Sequence, residues 1–258
     1  MFQLKTDDEV ELLRQSNLLV SATLAAVAPL MKPGVTTQEI DRYAETFIRD
    51  HGGLPGFKGY QGYPATLCIS VNDEVVHGIP SKRILRDGDI VSVDCGVLIH
   101  GFNGDSAYTF SVGEVKAEYK RLMDVTRECL LFGISQAISG NRIGDIGYAV
   151  QKHAEKNGFS VVREMVGHGV GRHLHEPPEV PNYGKPGTGF VLQKGLSIAI
   201  EPMINLGKRH IVQDRDGWTI RTADGKPSAH FEHSVVVGDL AADILSDFNI
   251  IEEAVSKV

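Results

Sequence analysis

Four carboxylates fall where the alternation of apolar residues calls for buried strands, and this conflict limits the folds open to the chain more than any other feature. In IVSVDCGV (residues 90–97), period-two alternation puts Val91, Val93, Cys95 and Val97 on one face and Ser92, Asp94 and Gly96 on the other. In LSIAIE (residues 196–201), Leu196, Ile198 and Ile200 share a face, and Ser197, Ala199 and Glu201 share the opposite one. A turn expected near residues 99–101 folds the next strand back, so that Asp105 is expected almost opposite Asp94, with Cβ atoms about 4.5–5.5 Å apart. Glu232 reads as mid-strand in SAHFEHSVVVG. A single Asp beside a hairpin is by default a solvated turn residue. Four acids on strands otherwise built from Val, Ile and Ala instead meet a large desolvation penalty and repel one another unless a cation lies among them.

The histidines separate by context. His168 and His175 lie in GHGVGRHLHEPP, a glycine-punctuated, proline-stopped segment; their odd spacing puts them on opposite faces of a strand but lets them converge in a bent loop. His77, before Gly-Ile-Pro, stands at a strand-loop boundary where function is plausible. His173, His230 and His233 read as surface or satisfied core residues, as do His51, His100, His153 and His210. Oxygen-rich ligation with one or two imidazoles and no thiolate suits Mn, Fe, Co or Zn, and four negative charges offset two dications rather than one.

The rest of the chain is expected to support this site as one domain. Its 258 residues are 42% hydrophobic and 23% charged, which is ordinary globular usage for a single α/β core. Thr6 with Glu9 and Thr36 with Glu39 read as capping boxes opening two helices, which stop at Pro33-Gly34 and Gly52-Gly53. Strands are expected over 66–71, 90–98 and 106–112, helices over 116–139 and 143–157, and further strands over 196–203 and 229–237. Sliding the chain on itself by about 106 positions lays Gly34 on Gly140, Glu39 on Asp145 and Gly52 on Gly158. One more position lays GDIVSVD on GLSIAIE, so Asp94 matches Glu201. Two related halves, roughly 1–115 and 116–258, are expected to meet with these acids facing each other.

A formal charge of −7 argues against a dedicated nucleic-acid surface. Cys68, Cys95 and Cys129 form no CxxC pair, which points to a reducing, cytoplasmic setting. The charged N-terminus is unlike a signal peptide, and no run is apolar and long enough to span a bilayer.

Together GYQGYPATLCISVNDEVVHGIP, DGDIVSVDCGVLIHGFNGDSA, MVGHGVGRHLHEPPEVPNYG, GLSIAIEPM and SAHFEHSVVV make the chain resemble the type I methionine aminopeptidases. The resemblance implies an α+β pita-bread fold, two pseudo-symmetric halves with a curved, mainly antiparallel sheet covered by helices. It also implies removal of the initiator methionine when the second residue is small, by hydroxide activated between two divalent ions (Co, Mn, Fe, Zn or Ni). Asp105 and Glu232 would bridge the ions, Asp94 would hold one, and His168 with Glu201 would complete the other. Glu201 would also carry a proton, His175 would donate to the oxyanion, and His77 would contact the substrate backbone. Tyr60, Tyr63, Cys68 and Trp218 would form the methionine pocket, which could equally be core on composition alone. Phe57 and Leu174 depart from the family's common cysteine and aromatic residue. The chain begins almost at its first helix, which is similar to the short bacterial form. The implied substrates are nascent chains, with transient ribosome association, a monomeric state and no membrane contact. The alternatives are a prolidase-like X-Pro peptidase, usually carrying a large N-terminal domain, and a non-catalytic binding module.

Overall fold

The computed structural model describes residues 3–257. Both capping boxes form: the Glu9 amide donates to Thr6 Oγ1 at 3.3 Å ahead of α1 (Asp7–Val27), and the Thr36 amide donates to Glu39 Oε2 at 2.7 Å ahead of α2 (Thr37–Asp50). These bonds satisfy amides that the first helical turn leaves without partners. Helices α3 (Ala117–Ile134) and α4 (Ile143–Lys156) follow, and α5 (Phe248–Val255) closes the chain. Helix α3 stops short of its expected end, where the Ser135 hydroxyl turns back to the Phe132 carbonyl at 2.7 Å.

Strands Ile90–Ile99 and Phe102–Ser111 form the long hairpin of the first sheet. Its turn is only His100-Gly101, with φ of 54° and 80°, the paired positive values that a two-residue type I′ turn requires. So tight a turn lets the second strand begin at Phe102, earlier than the hydrophobic pattern suggests. It also shifts the register: Asp94 pairs with Ala107 and Asp105 with Gly96. Asp105 is therefore on the expected face but diagonal to Asp94, not opposite it. Leu67–Val71 lines the other edge of Ile90–Ile99, with Cys68 beside Asp94.

The second half corrects two expected continuous strands. Residues 196–203 are split into Ser197–Ile200 and Met203–Asn205, and 229–237 into Ser228–His230 and His233–Val236. Pairs Ile200↔His233 and Met203↔His230 bracket the two gaps, so Glu201 and Glu232 face each other where the ladder is open. Pro202 has no amide to offer the ladder. The Glu232 amide turns instead to the Ala107 carbonyl at 2.9 Å, across to the first half.

The internal repeat has a conformational counterpart. Matched glycines share left-handed φ values: 94° and 95° at Gly34 and Gly140, 79° and 82° at Gly52 and Gly158, 88° and 84° at Gly88 and Gly195. Helices α2 and α4, offset by the same shift, are each 14 residues long. Val91, Val93, Cys95 and Val97 are fully buried as the alternation predicts, in a core cluster that also takes in Ile198 and Ile200. The opposite face is polar but not open, for Ser92 and Asp105 are buried too. Hydroxyls join the two parts of the chain: Ser106 Oγ donates to the Glu232 carbonyl at 2.6 Å, Thr109 Oγ1 to the His230 carbonyl at 2.6 Å, and Ser234 Oγ to the Asp105 carbonyl at 2.7 Å. Among the described residues no helix is long and apolar enough to cross a membrane.

Gly104 is where α1 touches this hairpin. A Cβ there would come within 2.6 Å of the Asn17 amide nitrogen, whose residue also accepts the Asp105 amide on its side-chain oxygen at 3.2 Å. Gly104→Ala should therefore cost about 1–3 kcal/mol by overpacking. A lowered urea midpoint at unchanged m-value is the expected reading; an unmoved midpoint would show that α1 yields freely.

Candidate metal centre and substrate cavity

A row of residues runs across both halves at the sheet junction: Cys68, Asp94, Ala107, Glu232 and Glu201. Asp105 and His168 reach the same point from either side. Ligand atoms of Asp105, His168 and Glu232 lie within 4.8 Å of one another, and His168 Nε2 is 3.7 Å from both Asp105 Oδ2 and Glu201 Oε1. All five expected ligands are thus brought together. Gly167 and Gly169 flank His168 because its strand lies against neighbouring backbone: a Cβ on Gly167 would meet the Ala199 carbonyl oxygen at 2.3 Å, and one on Gly169 the Pro177 oxygen at 2.5 Å.

Burial sets the electrostatics. Asp94 is pushed up to about 7 by burial against the opposing effect of a hydrogen bond shared with Asp105. Asp105, Glu201 and Glu232 are raised well above the carboxylate range by burial and then by one another's charge. Asp94 Oδ1, Asp105 Oδ1 and Glu232 Oε1 are buried without hydrogen-bond partners among the described residues. Such orphaned acceptors, converging from separate elements, fit divalent cations.

Burial favours the neutral form of the imidazoles. His168 is pushed down to about 3 by burial and by His175 nearby. Its Nδ1 lies 2.9 Å from the Gly169 carbonyl, which can only accept, so Nδ1 carries the proton and the Nε2 lone pair faces the carboxylates. The loop does bend, as convergence required: the His168 and His175 rings meet edge-on at 4.1 Å. His175 Nδ1 is 2.8 Å from the Tyr60 hydroxyl, and partial burial lowers its pKa. His77 directly follows strand Glu74–Val76 with φ of 60°, a left-handed value rare for a side-chain-bearing residue, and burial lowers its pKa to about 4.

These groups open on a cavity of about 540 Å³. One wall is an apolar cup of Phe57, Tyr63, Cys68 and Leu174, with Tyr60 and Trp218 packed against it. Tyr63 donates to the Leu67 and Gly78 carbonyls at 2.9 and 3.0 Å and meets Trp218 edge-on at 5.1 Å. Phe57 lies over Gly96, where a Cβ would come within 2.5 Å of its ring. Phe57 and Leu174 therefore both shape this cup.

The sequence pattern places His230 with the core and surface histidines, yet its Nε2 is buried without a hydrogen-bond partner among the described residues, 3.8 Å from Glu201 Oε2 and 3.9 Å from Glu232 Oε2. Its position two residues before Glu232 was the available signal, but a continuous strand gave no reason for it to face Glu201. His233 does fit the core reading, with Nδ1 2.6 Å from Ser246 Oγ.

The model of metallopeptidase family M24 matches residues 11–239. A methionine aminopeptidase of Clostridium perfringens is 48% identical over 246 residues, covering 95% of this chain and 99% of that protein. The crystal structure of methionine aminopeptidase from Rickettsia prowazekii superposes with a TM-score of 0.95 at 38% identity, covering 96% of this chain and all of the other. The Pyrococcus furiosus prolidase shares the fold at a TM-score of 0.78, with 20% identity and 65% of its chain covered. The chain belongs to metallopeptidase family M24, with the pita-bread fold, and within that family to the methionine aminopeptidases.

The buried acids predict a pH signature in metal-free protein. Asp94 titrates near its ordinary value of 3.8 when unfolded and at about 7 when folded, so the native state holds the extra proton and its contribution to stability is lost as pH rises from about 4 to 7. Metal-free Asp94→Asn should match wild type near pH 4 and become progressively more stable than it up to pH 7. Parallel pH profiles in urea denaturation would contradict the assigned burial.

Proposed function

We propose that this protein removes N-terminal methionine from nascent polypeptides whose second residue is small, and that the observation carrying this is the union of a buried carboxylate-imidazole centre with a closed apolar cup in one cavity. Asp94, Asp105 and Glu232 would hold one divalent ion, and Asp105, His168, Glu201 and Glu232 the other. When bound, such ions supply Lewis acidity that polarises a peptide carbonyl and acidifies water. Glu201, at the meeting of both halves, is suited to take a proton and return it to the leaving amine. With Nε2 protonated, the tautomer needed to donate to a developing oxyanion, His175 Nδ1 would accept from the Tyr60 hydroxyl 2.8 Å away. His77, neutral at pH 7, would hold the substrate backbone beside Trp218, with ring centroids 6.4 Å apart. Tyr60, Tyr63, Cys68 and Trp218 would receive the thioether, with Phe57 and Leu174 narrowing the cup.

The same reading covers the setting: one domain, residues 1–258, of two halves (1–115 and 116–258), monomeric, cytoplasmic, and transiently associated with the ribosome. Chelated protein resupplied with single metals should release methionine from Met-Gly-X peptides and leave X-Pro peptides intact. Efficient X-Pro cleavage without methionine release would overturn the assignment, and peptide binding without metal-dependent turnover would favour the non-catalytic alternative. Glu201→Ala and Asp105→Ala should each abolish turnover. His175→Ala should lower kcat by about 10²–10³; a change confined to KM would remove its role at the oxyanion.

A further inference from the structure

Glu201 divides its carboxylate between two imidazoles. Oε1 is 3.7 Å from His168 Nε2, and Oε2 is 3.8 Å from His230 Nε2, which lies 3.9 Å from Glu232 Oε2 as well. These separations are too long for direct hydrogen bonds. They match the spacing of donors that share one cation: at about 2.0–2.2 Å from the ion, imidazole and carboxylate atoms stand roughly 3–4 Å apart. His230 is 1% exposed and its Nε2 has no hydrogen-bond partner among the described residues, although leaving such an atom unmet costs about 1–3 kcal/mol. Its backbone is fixed from both sides. The amide donates to Thr109 Oγ1 at 3.0 Å, that hydroxyl donates back to the His230 carbonyl at 2.6 Å, and His230 also pairs with Met203 in the sheet. The backbone that carries the ring is thereby held in a fixed place between the two strands that bear Asp105 and Met203.

We propose that His230 is a further metal ligand, presenting Nε2 toward the carboxylates of Glu201 and Glu232. This rests on reading the carboxylates as a dimetal centre. The donor set then holds two imidazoles instead of one, which shifts its preference from Mn toward nitrogen-seeking ions such as Co, Ni or Zn.

Cobalt(II) tests the assignment without reference to turnover, because the ring N–H of each ligating imidazole gives an exchangeable, hyperfine-shifted proton NMR resonance. Metal-free wild type titrated with cobalt chloride should show two such resonances. His230→Ala and the better space-filling His230→Gln should each keep one, and His168→Ala should keep the other. Both His230 variants should also bind cobalt at least about tenfold more weakly by calorimetry. A single resonance in wild type that persists in both His230 variants would overturn the inference while leaving the centre in place. No shifted resonance in any form would remove the dimetal reading itself.

Discussion

The crowding of Asp94, Asp105, Glu201 and Glu232 at one buried point is the constraint around which the molecule is arranged. Carboxylates withdrawn from water resist ionisation, and here each is pushed above its ordinary range, with three of their oxygens left without a hydrogen-bond partner among the described residues. A fold that holds them together without a counter-ion gives up several kcal/mol per ionised group. Such a concentration persists because the scaffold is rigid enough to impose it and because a cation can relieve it. The fully buried aliphatic face of Ile90–Ile99 supplies that rigidity, while its other face carries the acids.

Two devices place the acids. In the first half, the His100-Gly101 turn sets the hairpin register and so puts Asp94 and Asp105 diagonally on one face. In the second half, paired gaps in the strands free Glu201 and Glu232 from the regular ladder and turn them toward the junction. Serine and threonine hydroxyls then tie the halves together at backbone carbonyls, satisfying polar groups that burial would otherwise strand. The same devices account for the imidazoles. Glycines let the His168 strand approach its neighbours closely, and the bend after it folds His175 back to Tyr60.

Membership of family M24 and close likeness to methionine aminopeptidases agree with this chemistry, and the apolar cup is built onto the same sheet. Phe57 is seated on Gly96 and Leu174 is buried beside it, so the apolar wall is continuous with the sheet that carries Asp94. The shape of the cup and the position of the Asp94 carboxylate are thereby coupled through one strand.

Much of this was legible in the linear sequence because it depends on local periodicity and short-range capping. Two helix starts and the buried face of Ile90–Ile99 follow from spacing alone, and the glycines matched by the 106-position shift share their backbone conformation. The motifs likewise named five residues that line one cavity. Register and interruption were beyond the sequence, since a two-residue turn and a pair of strand gaps are selected by contacts between distant segments. Those contacts moved Asp105 from opposite Asp94 to its diagonal and took Glu232 out of a strand. They also brought His230 to face Glu201, because only pairing across the gaps decides which ring meets which carboxylate.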